Sequence, residues 1–248
     1  MKPIRIYEHH DWAGAGHLLE FLDRKNLPYE VVTVQPQSSP DDDLDSLAGV
    51  IILGADYSVN DSFPSIAAEL KIIHRAMEKK MPVLGHCFGA QLISKALGGR
   101  VRPMPHWEIG WFQALCDRAA LDNLCNNKKI KMEPVLLWHK EKLEVPASAK
   151  PFLGSRHCAD QGFICGDNVL ATMAHFEATP EIIQGWVERF KDKVPLTEKN
   201  SRIPSVQSID KLLDGIENKV AGMYRFADLL YDVWITKVIK RAKNESSA

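Results

Sequence analysis

Gly85-His86-Cys87-Phe88-Gly89-Ala90-Gln91 follows the short apolar run Pro82-Val83-Leu84. It opens an amphipathic segment, Leu92-Ile93-Ser94-Lys95-Ala96-Leu97, which Gly98-Gly99 closes. The pattern reads as a buried strand, a sharp turn and a helix with a glycine stop. Cys87 occupies the turn, with one glycine two residues before it and another two residues after. A tight strand-to-helix turn strains the backbone and leaves no room for flanking side chains, and glycine meets both demands. The turn lifts the sulfur above the sheet edge. It also sets the sulfur at a helix N-terminus, where backbone N–H groups and the dipole favour negative charge. This is a cysteine form of the nucleophile elbow. A small buried cysteine in a Gly-rich turn is the competing reading, and the elbow alone does not separate the two.

Outward from the elbow, the chain alternates strands and helices. Residues 4–7 read as a first strand. His9 to Gly16 form a loop before a helix carrying Leu18, Leu19, Phe21 and Leu22. Tyr29 to Val34 alternate and are β-branched, as a second strand should be. Gly49 to Leu53 are fully apolar, and Ile66, Leu70, Ile73, Ala76 and Met77 have helical spacing. Such alternation predicts an α/β fold with a doubly wound, mostly parallel sheet. From Val101 to Val145 the pattern changes. Trp111–Leu115 and Val135–Trp138 predict an antiparallel extension, and Phe152–Ser155 with Gln161–Cys165 a further hairpin-like pair. A helix follows over residues 181–192. Val194 to Pro204 read as a polar linker, and residues 208–242 as a C-terminal helical segment with Leu212, Ile216, Val220, Met223, Phe226 and Leu230 on one stripe. The expected division is a domain over 1–193, then a linker and helical extension over 194–248 packed on it.

A nucleophilic cysteine needs a base, and the base an orienting partner. Of nine histidines, one is marked by context: His175 ends the apolar run Val169-Leu170-Ala171-Thr172-Met173-Ala174. Thr179-Pro180-Glu181 then starts a helix, with Thr179 as N-cap and Pro180 at N1. In open α/β sheets, ligands bind at the carboxyl ends of strands. Residues two apart in an extended segment share a face, so Glu177 is placed to bond one ring nitrogen while the other faces the thiol.

Together these residues resemble the triad of the class I glutamine amidotransferases. Further stretches over residues 1–190 match that family in order. Val50-Ile51-Ile52-Leu53-Gly54-Ala55 resembles the oxyanion strand and loop. Glu108-Ile109-Gly110-Trp111 resembles a signature of stand-alone members similar to the amidotransferase domain of GMP synthase. Leu136-Leu137-Trp138-His139 resembles a Trp-His turn, and His175-Phe176-Glu177-Ala178-Thr179 the His-Pro-Glu-x-Thr end. The resemblance implies a flavodoxin-like fold, an oxyanion hole at Gly54, Ala55 and Phe88, and a substrate contact at Gln91. It implies hydrolysis of the glutamine side-chain amide through a thioester, with no metal and no other cofactor. Four departures stand out. Ala55 replaces the second glycine of the oxyanion loop, which makes positive φ costly there. Phe176 replaces a proline. His86 precedes the nucleophile where an apolar residue is usual; of two roles, tuning Cys87 or filling the wall beneath it, the wall is favoured because the base is already accounted for. Lys140-Glu141 stands where Gly-Asp is common.

Composition limits the partners. A net charge of −1 gives no electrostatic case for nucleic acid or an acidic membrane. No apolar run has the length of a membrane span, and the N-terminus reads as a strand, not a signal peptide. Five cysteines without zinc spacing suit a reducing compartment, the cytoplasm by default. With no phosphate loop, the chain cannot be a complete GMP synthase. Three readings of its function follow. The first is a glutamine amidotransferase that hands ammonia to a separate synthetase subunit. The second is a γ-glutamyl peptide hydrolase of the same fold, and the third a non-catalytic binding domain.

Overall fold

The computed structural model describes residues 1–116, 132–196 and 203–245. Among these residues the main sheet has eight strands in the order β2-β1-β3-β4-β10-β9-β8-β6. Four neighbours of the parallel part come first: β1 (Ile4–Glu8), β2 (Tyr29–Thr33), β3 (Gly49–Ile52) and β4 (Val83–His86). The fifth, β10 (Val169–Thr172), returns from far along the chain to pair in parallel with β4. The strands β3, β4 and β10 are each four residues long and wholly buried. That is why they read as unbroken apolar runs rather than alternating ones: helices cover both faces.

The helices among the described residues are α1 (Gly16–Arg24), α2 (Pro64–Glu78), α3 (Phe88–Ala96), α4 (Pro180–Phe190), α5 (Ile209–Leu213) and α6 (Ile216–Glu245). Thr179 caps α4, its hydroxyl accepting from the Ile182 N–H at 3.3 Å, with Pro180 at N1. Gly215, at φ +60°, breaks the helical segment between α5 and α6. Met223, Phe226, Leu230, Tyr231, Trp234 and Val238 form the buried stripe of α6. No helix among the described residues is long and apolar enough to cross a membrane.

The antiparallel extension is present, and its strands are β9 (Gly162–Cys165), β8 (Ala149–Gly154) and β6 (Leu115–Cys116). The expectation for Trp111–Leu115 and Val135–Trp138 needs correction. Most of that sequence belongs to a separate two-stranded ribbon, β5 (Val101–Gln113) with β7 (Pro134–Leu143). Alternation predicts a strand without saying which sheet it joins. The ribbon is anchored by a buried polar cluster. Glu108 accepts hydrogen bonds from Ser155 Oγ at 2.5 Å and from Gln161 Nε2 at 2.6 Å. A carboxylate without water needs such donors. Cys125 and residues 197–202 of the expected linker lie outside the described residues.

Candidate functional site

Three adjacent strands end side by side, and each delivers one part of the site. β4 runs directly into Cys87, the N-cap of α3, with φ +48° and ψ −105°. Positive φ is costly for a residue with a Cβ and persists only where its surroundings enforce it. Here they do. The Cys87 N–H donates to Thr172 O on β10 at 2.8 Å, and Cys87 O accepts from the Gln91 N–H at 3.0 Å. The conformation aims the sulfur out of the sheet at the start of α3. β3 leads to Gly54, which lies close to both His175 and Cys87. β10 leads to His175, whose N–H donates to Leu136 O at 3.0 Å.

His175 Nδ1 donates to Glu177 Oε1 at 2.7 Å. That leaves Nε2 for the Cys87 side chain, which is within hydrogen-bonding reach. Trp186 packs edge-on against the imidazole with ring centres 4.8 Å apart. The pair is buried, with His175 5% and Glu177 2% exposed. Burial works against charge on His175, but its Cys87 and Glu177 neighbours outweigh it and push the imidazole up to about 10. Burial likewise pushes the Glu177 carboxyl up. His175 and His86 outweigh that and hold it well below the usual carboxylate range.

These opposed shifts predict a window of stability. A depressed carboxyl stabilises the fold above its unfolded value, about 4.3, and loses that contribution as pH falls through the folded one. A raised imidazole stabilises below its unfolded value, about 6.5, and loses that contribution as pH rises through the folded one. The melting-temperature gap between wild type and Glu177→Gln is therefore expected to peak between about pH 4.5 and 6.5. It should shrink steadily toward pH 10. Thermal melts across that range check it, and a gap independent of pH contradicts the pairing.

His86 does more than line the wall. It is fully buried, and its Nδ1–H donates to Ala174 O at 3.2 Å. The same nitrogen lies 3.0 Å from Glu177 Oε2, which has no donor aligned on it. Tyr231 of α6 places its hydroxyl 3.4 Å from His86 Nε2. The Ala174 carbonyl only accepts, so His86 carries a proton on Nδ1; burial pushes the Tyr231 phenol well up and keeps its hydroxyl protonated beside Nε2. Nearby, Tyr224 of α6 donates to Ala178 O at 3.1 Å, and the His17 N–H of α1 donates to Glu177 O at 3.0 Å. Two helices thus grip the 175–178 loop.

The site opens into a cavity of about 400 Å³. Trp12, Trp107, Trp138, Trp186, Tyr57 and Phe190 give it an aromatic wall, and the β5–β7 ribbon supplies one side. Gly54, Ala55, Cys87, Gln91 and His175 all line it. Gln91 is held with its amide donating to Glu141 O at 3.2 Å. Phe88 turns its ring inward, onto His9 and Tyr57. Its N–H is the first of α3 and has no acceptor within the helix. The N–H groups of Gly54 and Ala55 have no acceptor among the described residues.

The glutamine amidotransferase class-I family profile matches residues 18–173. The chain belongs to that family. A solved glutamine amidotransferase from Methylobacillus flagellatus superposes with a TM-score of 0.87, at 28% identity over 96% of this chain and 95% of that one. Gamma-glutamyl peptidase 3 of Arabidopsis thaliana is 25% identical over 161 residues, 63% of this chain and 65% of that protein. A glutamine-hydrolysing GMP synthase of Porphyromonas gingivalis is 35% identical over 77 residues, 31% of this chain and 14% of that protein.

Within this amidotransferase fold, each departure noted in the sequence has a structural account. Ala55 is not at positive φ, so the missing glycine costs no strain. Phe176 fills a buried slot, edge-on to His86 and to Phe226 of α6. Glu141 anchors the cavity rim, accepting from Ser58 Oγ at 2.9 Å. His139 lies against Glu108 at 3.2 Å. Three residues near the site carried no readable signal. His9 and Glu69 form a fully buried pair behind Gly54, and Tyr231 reaches His86 from 145 residues away.

Proposed function

We propose that the protein is a glutamine amide hydrolase acting by acyl transfer through Cys87, His175 and Glu177. The observation that supports this is the left-handed Cys87 at the head of α3, with a Glu177-bonded His175 beside it. The Cys87 sulfur attacks the side-chain carbonyl carbon of glutamine. The oxyanion forms within the arc of the Gly54, Ala55 and Phe88 N–H groups. His175, charged at neutral pH, gives its Nε2 proton to the leaving nitrogen. The C–N bond breaks, ammonia departs and a thioester remains. Neutral His175 then takes a proton from water as the oxygen adds to the thioester carbonyl. The C–S bond breaks, releasing glutamate and restoring the sulfur beside the imidazolium. Gln91 faces the substrate across the cavity. The half-reaction calls for no metal, nucleotide or flavin.

The cavity favours one second reading. About 400 Å³ with an aromatic wall exceeds what a carboxamide needs, and suits the amine portion of a γ-glutamyl peptide. In the first reading, the ammonia passes to a separate synthetase subunit. The reactive thiol belongs in the reducing cytoplasm.

The test is to incubate the protein with glutamine and with γ-glutamyl peptides including glutathione, and to measure released glutamate. Turnover of glutamine is expected, strengthened by a synthetase partner. Turnover of peptides alone selects the second reading, and silence across the panel selects a binding domain. A diazo-ketone analogue of glutamine should label Cys87 selectively. Peptide mapping that found Cys116, Cys158 or Cys165 labelled as fast would overturn the assignment of the nucleophile.

A further inference from the structure

Behind the oxyanion loop, and outside the cavity lining, lies the His9–Glu69 pair. Both side chains are fully buried. His9 follows β1, and Glu69 projects from α2. His9 Nε2 meets Glu69 Oε1 at 3.0 Å, and His9 Nδ1 meets Gly54 O at 3.1 Å. A carbonyl oxygen only accepts, so Nδ1 carries a proton and donates it to Gly54. The ring is fixed from its other sides by edge contacts with Phe88 and Tyr57, at 4.8 Å and 5.9 Å between centres.

The consequence lies in the peptide plane. No cis peptide occurs among the described residues, so the Gly54 C=O and the Ala55 N–H point in opposite directions. His9 draws the carbonyl inward, away from the cavity. The Ala55 N–H therefore leaves on the opposite side, and Ala55 lines the cavity beside Cys87. We infer that His9, steadied by Glu69, is a positioning residue that clamps the Gly54–Ala55 peptide and aims the Ala55 N–H at the oxyanion of the reacting carbonyl. This rests on the acyl-transfer reading above.

Two probes of Cys87 isolate the effect. Acylation by p-nitrophenyl acetate passes through a tetrahedral oxyanion, whereas alkylation by iodoacetamide displaces iodide and forms none. The ratio of their rates reads the oxyanion donors alone. His9→Phe by itself strands the Glu69 carboxylate in the interior, so the test uses His9→Phe/Glu69→Met. His9→Leu/Glu69→Leu provides the same comparison with smaller side chains. Folding is checked by circular dichroism. The acylation-to-alkylation ratio is expected to fall about 10²-fold in the folded double variant. His9→Asn/Glu69→Met, whose asparagine amide N–H sits where Nδ1–H was and which leaves no carboxylate unpaired, should recover most of that loss. On an amide substrate, kcat should fall with KM nearly unchanged. An unchanged ratio in a folded double variant overturns the clamp, as does a parallel fall of both rates. Neither probe is a glutamate amide. A silent glutamine and γ-glutamyl panel in the wild type thus overturns the proposed function, while the ratio still judges the clamp.

Discussion

His175→Ala is expected to lower kcat on the hydrolysed amide by about 10⁴-fold, with KM changed little. In the proposed mechanism both proton transfers run through Nε2, so the loss falls on each half of the reaction. Removing the imidazole also leaves the buried Glu177 without its main partner, which destabilises the fold. His175→Asn separates the two effects. It keeps an N–H near the Nδ1 position to satisfy Glu177 and supplies no base. Its melting temperature should lie near the wild-type value while its turnover stays as low as that of the alanine variant. Glu177→Gln should lose less, about 10²-fold, because it orients the base and transfers no proton. Steady-state kinetics decide the matter: if His86→Leu or His139→Leu abolished turnover and His175→Asn did not, the base would be misassigned.

The second large effect concerns stability. Gly89→Ala is expected to cost about 3 kcal/mol or more, lowering the melting temperature by about 10 °C. A Cβ on Gly89 collides with the Ile52 carbonyl, which is backbone at the end of β3 and cannot rotate aside. The Gly89 N–H also donates to Leu53 O at 3.2 Å, tying α3 to the strand that carries Gly54. Pushing α3 off β3 separates Cys87 from the Gly54 and Ala55 N–H groups, the proposed oxyanion donors, so activity should fall with stability. Gly185→Ala is the contrast. Gly185 lies in the middle of α4 with nothing within 4 Å of its would-be Cβ. Alanine there should stabilise by about 0.8 kcal/mol through helix propensity. Denaturant melts of the two variants should move in opposite directions. A Gly89→Ala protein as stable as wild type would mean that α3 and β3 are not packed as described.

The elbow was legible in the sequence because its causes are local. A buried four-residue strand, two glycines that permit a close turn, and an amphipathic segment with a glycine stop all act within about fifteen residues of one another. His175 and Glu177 were legible for a similar reason. An apolar strand pattern ending before a Thr-Pro helix start puts a histidine at the carboxyl end of the sheet, whatever the rest of the chain does. The C-terminal stripe followed from helical spacing alone. Tertiary structure decided the rest. Alternation announced the strands between Val101 and Leu143, but pairing with β7 rather than the main sheet depended on where Glu108 found Ser155 and Gln161. His86 looked like wall until Tyr231, 145 positions away, and Glu177 were brought against its two nitrogens. His9 and Glu69 are 60 residues apart, and neither lies in a pattern that marks it. Strand and helix periods are written by backbone geometry, which acts between neighbours. Buried polar partnerships are made where donors and acceptors left over from that geometry must find each other in the absence of water, and the sequence does not say which will meet.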